Sequence, residues 1–187
     1  MIRTVVLAAL MTLMPLAVAA QDRTVRASNG VEVAVKRDDF AGSVTVTAPL
    51  IQMEDANVLV GKQFDQGEAQ PTVIQGTTSY SGEWRYYSSA ILRGGRDVIF
   101  ETIDRRVGRC SVTRYGSSCR LTEDFMMHVT PDQIAAYSDG ERLTIQVRSE
   151  RFEPMTLSLP LAHFAAVEEV FAAETAGLTT GGQTIPV

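Results

Sequence analysis

The chain has 187 residues, of which 45% are hydrophobic and 21% charged, and this composition excludes a wholly disordered protein. Its formal net charge of −5 argues against nucleic acid as a general partner, because nucleic-acid binding needs basic surfaces. The length allows one domain with a hydrophobic core, and it is short for two.

The first twenty residues have the pattern of an export signal. Arg3 precedes an apolar run at 5–16, and the small residues that signal peptidases require follow at 18–20. The run is shorter than the ~20 residues that span a bilayer, so we expect no transmembrane span in the mature chain. This pattern predicts a signal peptide at 1–20. For the rest of the chain we expect a single mainly β domain at 21–175 and a flexible tail at 176–187. We expect a periplasmic or secreted protein.

Alternating apolar and polar residues predict strands in the first half of the domain. The pattern occurs at 31–36 and again at 44–47, with the turn-forming residues of 38–42 between them. A third apolar run lies at 58–60, and a loop is expected at 64–71. Further on, the pair Gly94-Gly95 separates two apolar runs, which predicts a hairpin whose second strand continues to Cys110.

The two cysteines of the chain, Cys110 and Cys119, are expected to form a structural disulfide, because export exposes them to an oxidising compartment. A four-residue loop at 113–116 would place them opposite each other in an antiparallel hairpin. The same register predicts these further pairs: Arg106 with Glu123, Arg105 with Asp124, Thr102 with Met127, Phe100 with Val129 and, on the other face, Arg109 with Arg120.

Two helices are predicted in the second half. Thr130, Pro131 and Gln133 form a capping-box pattern that begins a short helix ending near Tyr137. Two alternating segments, 143–147 and 155–159, predict a strand pair, and a helix with an apolar stripe follows Pro160. The fold class expected is mainly β (α+β), an antiparallel sheet or sandwich with one short helix and a C-terminal helix packed on one face.

No catalytic, metal or cofactor motif is evident in the sequence. The chain has two histidines, and no spacing resembles a zinc motif or the elbow of a serine hydrolase. The predicted register places His128 opposite Glu101, which indicates a surface ion pair, while His163 lies at the edge of the helix stripe. We therefore assign no catalytic residue, no metal ligand and no cofactor.

Arginine is concentrated in one region. Between Trp84 and Arg120 there are eight arginines and only three acidic residues, so this region needs an internal acidic partner or an external anionic one. Guanidinium groups bind carboxylates and phosphates in a forked geometry, and tyrosine stacks on sugars and other planar groups. The candidate ligand-binding residues lie around the predicted hairpin tip: Arg109, Arg114, Tyr115 and Arg120, with Arg93 and Arg96 from the neighbouring turn as further candidates.

The segment between Tyr80 and Phe171 contains a set of spaced residues: Trp84, Tyr87, Ala90, Gly95, Phe100, Ile103, Arg105, Val107, Cys110, Cys119, Glu123 and Leu159-Pro160. This set resembles a group of small exported bacterial proteins of unknown function, many of them lipoproteins. The resemblance implies a bacterial envelope location and brings no activity or site residues. No cysteine follows the signal segment, so lipid anchoring is not expected.

The function favoured by these observations is non-enzymatic. We expect a periplasmic binding or assembly factor that recognises an anionic envelope component or a protein partner through the arginine-rich hairpin. Two alternatives remain open: a hydrolase acting on envelope polymers, which needs a pocket with convergent polar groups, and a structural subunit that oligomerises through a sheet edge or a helix face.

Overall fold

The computed structural model describes residues 21–114, 116–176 and 178. The predicted signal peptide, Tyr115 and all of the predicted tail except 176 and 178 lie outside the described residues. The described chain is mainly β with two helices, as predicted: β1 (Gln21–Arg26), β2 (Glu32–Asp38), β3 (Ser43–Thr47), β4 (Ile51–Gln52), β5 (Asn57–Asp65), β6 (Glu68–Ala69), β7 (Thr72–Ser81), β8 (Tyr87–Leu92), β9 (Asp97–Thr113), β10 (Gly116–Val129), α1 (Pro131–Tyr137), β11 (Ser138–Asp139), β12 (Arg142–Ser149), β13 (Met155–Pro160) and α2 (Leu161–Thr175).

The strands form one large antiparallel sheet in the order β1-β2-β3-β5-β7-β10-β9-β8-β12, with β11 and β13 beside β12 and with β4 and β6 beside β5. Val33 in β2 and Leu159 in β13, near opposite ends of this order, belong to the same buried cluster. The single helix α2 contacts both β2 and β13, so the sheet curves to bring these distant strands to one hydrophobic core.

Helix α2 covers the interior against β2, β3 and β5 and also contacts β13. Its apolar stripe is buried as predicted, with Phe164, Val167, Val170 and Phe171 in the core. Leu178 beyond the helix also packs against this core. Among the described residues, neither helix has the length and hydrophobicity needed to cross a bilayer.

The local signals in the sequence are confirmed in several elements. At α1 the Thr130 hydroxyl accepts a hydrogen bond from the Gln133 amide at 3.2 Å, and the Gln133 side chain accepts one from the Thr130 amide at 3.0 Å. This is the predicted capping box. Gly94 and Gly95 both have positive φ, 97° and 88°, in the predicted turn between β8 and β9. Glycine adopts this conformation without steric cost.

The predicted register of the β9–β10 hairpin is correct from the pair of Thr113 with Gly116 to the disulfide. Beyond Cys110 and Cys119 the register shifts by one residue between Cys119 and Leu121, and again between Asp124 and Phe125. At both places β9 contains one residue more than β10, which is a β-bulge. The observed pairs are Thr122 with Arg106, Glu123 with Arg105, Asp124 with Asp104, Phe125 with Thr102 and Met127 with Phe100. The pairs predicted for Arg106, Arg105, Thr102 and Phe100 are therefore wrong.

Candidate functional site

The end of the β9–β10 hairpin projects from the sheet, and we call residues 107–120 the finger. The neighbouring strand β7 ends at Ser81, opposite Arg120, and β8 pairs with β9 only at Asp97 and Val98. Beyond Arg120 no other described strand flanks the finger, and the side chains at 107–112, 114, 118 and 120 are exposed. Val112, for example, is 83% exposed. The finger is a convex two-stranded projection that other molecules can reach from both sides.

The predicted disulfide lies within the finger. Cys110 and Cys119 are bonded, with their Cα atoms 3.9 Å apart. An isolated two-stranded hairpin is at most marginally stable in water, and the finger has no sheet neighbour or core beneath it. The covalent bond therefore holds the two strands together where packing does not.

Three of the four predicted ligand-binding residues can be located. Arg109, Arg114 and Arg120 are exposed on the finger, and Tyr115 lies outside the described residues. The predicted opposition of Arg109 and Arg120 is modified by the bulge, which places both Gly108 and Arg109 opposite Arg120. A Cβ atom added to Gly108 would lie 3.6 Å from the Cβ atom of Arg120, so a glycine packs where a second arginine was expected.

Arg93 and Arg96 do not join the other arginines. They lie in the turn at the opposite end of β9, a strand of 17 residues. With a rise of about 3.3 Å per residue, this strand separates the two turns by roughly 50 Å. Arg93 forms an ion pair with Asp139 instead.

Part of the basic region is neutralised within the fold. Below the finger, Arg105 pairs with Glu123 at 3.1 Å, and Arg106 pairs with both Asp104 and Asp124. Along the finger, Arg109 and Arg120 have no acidic group of the described chain within ion-pair distance. The finger thus carries two exposed arginines whose charge the described fold does not neutralise.

A second cluster, which the sequence reasoning missed, lies at the base of the finger. Because the strand order is β7-β10-β9-β8, the connection from β7 to β8 must cross both β10 and β9. We call this connection, residues 82–86, the crossing loop. Its backbone leaves the sheet here, so its N–H groups need acceptors other than a neighbouring strand.

Glu123 supplies those acceptors. This residue is 1% exposed, and its carboxylate accepts hydrogen bonds from the backbone N–H groups of Tyr86 at 3.1 Å and Tyr87 at 3.2 Å. It also accepts from the Arg105 guanidinium at 3.1 Å and from the Tyr80 hydroxyl. Four donors therefore surround the buried charge, which is the condition for burying a carboxylate without a large penalty.

The surrounding side chains extend this network. The Tyr80 hydroxyl accepts a hydrogen bond from the Arg85 amide at 2.9 Å, and the Arg85 guanidinium lies over the Tyr80 ring at 4.5 Å. Burial raises the pKa of Tyr80 well above its usual range, and its hydrogen bond to Glu123 raises it further. Tyr80 is thus a neutral donor to Glu123.

The sequence did contain one signal for this cluster. The inward face of β10 carries four apolar residues, Leu121, Phe125, Met127 and Val129. The side chain of Glu123 lies on the same face of the strand. A charge on the buried face of an alternating strand needs dedicated partners. The sequence analysis paired Glu123 with Arg106 across the hairpin and did not identify it as a buried charge.

The network holds Tyr86 in an unusual conformation. Its φ of 55° is in the left-handed region, which is an outlier for an aromatic residue outside a glycine turn. The Tyr86 ring is 46% exposed, with Arg105 over it at 5.1 Å and Trp84 beside it at 6.3 Å between centroids. Backbone strain of this kind persists only where surrounding contacts over-determine it, and it clusters at functional sites.

Two clefts flank the Tyr86 ring. One has a volume of about 480 Å³ and lies between Trp84 and Tyr86 on one side and Val107 and Leu121 of the hairpin on the other. The second has a volume of about 310 Å³. It is lined by Arg85, Tyr86, Ser88, Arg105, Glu150 and Arg151. Arg151 borders both clefts.

The two histidines lie apart from both clusters. His128 Nε2 lies 3.2 Å from Glu101 Oε1, so the predicted contact is confirmed, although the register pairs His128 with Ile99 and makes the contact diagonal. His163 is half-buried with an unpartnered Nδ1, and burial lowers its pKa below the ordinary 6.5. Within the described ranges, no three His, Cys, Asp or Glu residues converge to hold a metal ion.

Comparison with known proteins gives no match: no family model, curated protein or solved structure is detectably similar to this chain. The functional interpretation therefore depends on the residues and their geometry.

Proposed function

We propose that this chain is a non-enzymatic binding or assembly factor that recognises an anionic partner through the finger. The observation that carries the proposal is that Arg109 and Arg120 lie exposed on one projecting finger without an acidic ion-pair partner among the described residues, whereas Arg105 and Arg106 directly below it are paired within the fold. A convex projection also suits a macromolecular partner, because it cannot enclose a small ligand as a concave pocket does.

The proposed location is the bacterial periplasm or the extracellular space, and the proposed partner is an anionic envelope component or an acidic protein. The disulfide supports this compartment, since disulfides persist in oxidising environments. The resemblance to small exported proteins and the export-signal pattern of residues 1–20 support it as well.

The test is retention of the purified protein on isolated cell-envelope fractions. The variant Arg109→Ser/Arg120→Ser should lose retention, and its thermal stability should stay unchanged. A matched control, Arg96→Ser/Arg148→Ser, removes two exposed arginines that lie off the finger and should be retained like the wild type. Retention of the wild type should also weaken as salt is raised to about 1 M, where the Debye length is only ~3 Å.

Equal retention of the finger variant and the wild type would overturn the proposal. Protease treatment of the envelope fraction distinguishes the two partner classes. Loss of retention after this treatment identifies a protein partner, and full retention identifies a non-protein polymer or lipid.

A further inference from the structure

The finger leaves two strand edges of the sheet without a neighbouring strand. β8 pairs with β9 only at Asp97 and Val98, and β7 pairs with β10 no further than Arg120. Among the described residues, no strand therefore pairs with the outer side of β9 at 107–113 or with that of β10 at 116–119. A free strand edge presents a row of backbone N–H and C=O groups that can pair with another chain.

The disulfide shows which backbone groups of the finger point outward. Antiparallel strands alternate between hydrogen-bonded pairs, with Cα atoms about 5.5 Å apart, and non-hydrogen-bonded pairs, with Cα atoms about 4.5 Å apart. The Cα atoms of Cys110 and Cys119 are 3.9 Å apart, so this pair is of the second kind. Its N–H and C=O groups point away from the partner strand, and those of Val112, two residues further along the regular ladder, do the same. The outer edge of β9 thus offers the N–H and C=O groups of Cys110 and Val112.

The β9 edge suits a partner chain better than the β10 edge. Every side chain from 107 to 112 is exposed. On the other strand, Ser118 and Cys119 line a cleft together with Glu83 of the crossing loop, which places a carboxylate beside β10. An incoming acidic chain would meet that carboxylate at β10 and would avoid it at the outer edge of β9.

The charge of the finger selects the kind of chain that can pair with it. Residues 107–120 contain three arginines and no acidic residue. The carboxylates next to the finger in the hairpin are already paired, Glu123 with Arg105, and Asp104 and Asp124 with Arg106. A second copy of this chain would bring two such fingers edge to edge, and like charges across paired strands are destabilising. An acidic strand has the complementary charge.

We propose that the outer edge of β9 at 109–113 binds an extended acidic segment of a partner protein by strand addition, with main-chain hydrogen bonds to Cys110 and Val112 and an acidic side chain next to Arg109. This inference rests on the proposed binding role of the finger, and it specifies the partner and the mode of binding. In strand addition the main-chain hydrogen bonds give affinity and the side chains give specificity. A lipid or a polysaccharide lacks the alternating backbone donors and acceptors that this edge requires.

The test separates main-chain hydrogen bonding from charge. The probe is the capped peptide acetyl-Glu-Val-Glu-Val-Glu-amide with an uncharged fluorescent label, and fluorescence anisotropy measures its binding. One matched peptide has glutamine in place of glutamate, and a second keeps the glutamates but is N-methylated at every amide. The acidic peptide should bind at least about tenfold more tightly than either, because the loss of one or two net hydrogen bonds changes an affinity by about this factor.

Two substitutions at one position test the edge itself. Val112→Pro removes an outward N–H group, and proline is tolerated in edge strands where that group would face solvent. This variant should bind the acidic peptide at least about fivefold more weakly than Val112→Ala, which keeps the N–H group. Arg148→Gln, an exposed change off the finger, should bind the peptide like the wild type. Thermal melts establish that each variant is folded.

Three results would overturn strand addition at this edge. They are equal affinity of the acidic and the N-methylated peptide, equal affinity of Val112→Pro and Val112→Ala, and a wild-type dimer in size-exclusion mass measurements that Val112→Pro dissociates. The last result would identify a second copy as the occupant.

Retention on envelope fractions separates this inference from the proposed function. Val112→Pro and Arg109→Ser/Arg120→Ser should both lose retention. Normal retention of Val112→Pro, with loss in the arginine variant, would leave the binding role standing and overturn strand addition. Normal retention of both variants would overturn both.

Discussion

The carboxylate of Glu123 accepts the backbone N–H of Tyr86 at 3.1 Å, and this contact joins the inward face of β10 to the crossing loop above it. The sheet order forces a loop across β10 and β9, and the loop's amide groups need an acceptor. An ionised side chain in the strand below provides it. The same contact determines where the Tyr86 ring lies, and therefore the shape of both clefts.

Glu123→Gln tests this anchoring role. Glutamine would place an amide NH₂ group where a carboxylate oxygen now accepts hydrogen bonds, so one donor would face another. Arg105 would also lose its counter-charge. We expect a loss of about 3 kcal/mol in the free energy of unfolding, measured by urea denaturation. Glu101→Gln, an exposed change on the adjacent strand, should cost less than about 0.5 kcal/mol. Similar losses for the two variants would contradict the assignment.

Substitutions of Tyr86 separate its strain from its contacts. Both Tyr86→Gly and Tyr86→Ala remove the ring, but only glycine adopts a φ of 55° without steric cost. The glycine variant should therefore be more stable than the alanine variant by about 1 kcal/mol in urea melts. Equal stability would show that position 86 relaxes from the left-handed region when the ring is removed.

Position 76 needs glycine because the ring of Phe125, its cross-strand partner in β10, fills the space that a side chain would occupy. A Cβ atom at position 76 would lie 2.3 Å from two atoms of this buried ring, so the ring must move. Gly76→Ala should cost about 1–3 kcal/mol of unfolding free energy, as overpacked cores do. The double variant Gly76→Ala/Phe125→Leu should recover part of the clash energy in a double-mutant cycle. Additive losses would argue against the contact.

Removal of the disulfide should loosen the finger and leave the core intact. In Cys110→Ser/Cys119→Ser the two strands of the finger lose the cross-link that holds them together, and an isolated two-stranded hairpin is at most marginally stable in water. We expect faster amide exchange at 107–120 by mass spectrometry and unchanged exchange in β12 and β13. Faster exchange throughout the sheet would mean that the finger contributes to global stability.

His163 predicts a pH dependence of stability. Burial lowers its pKa in the folded protein below the ordinary 6.5, so the unfolded chain binds a proton more readily. The contribution of neutral His163 to the free energy of unfolding is present above pH 6.5 and is lost as the pH falls through the lowered pKa. His163→Gln should therefore flatten the decline in unfolding free energy between pH 7 and pH 5. His128→Gln is the matched control, and an identical flattening in that variant would contradict the assignment to His163.

Local sequence patterns predicted several of the strands, both helices and the disulfide, but they did not predict β1 or β7, and they assigned a loop at 64–71, where β5 ends and β6 lies. The alternation at 31–36, the capping residues Thr130 and Gln133, and the Gly94-Gly95 turn each express preferences that act within a few residues. They correctly predict a mainly β chain with a C-terminal helix on the sheet. The pair Cys110 and Cys119 also predicts the strand pairing at its own position.

The tertiary structure alone decided the registers beyond the disulfide and the site at the base of the finger. Two bulges in β9 shift the pairing, and the local alternation does not reveal them because a bulge is a response to strand twist and to contacts outside the hairpin. The burial of Glu123 and the conformation of Tyr86 follow from the strand order β7-β10-β9-β8, which brings the crossing loop over β10. Such long-range placement depends on the whole sheet, whereas sequence patterns report on neighbouring residues.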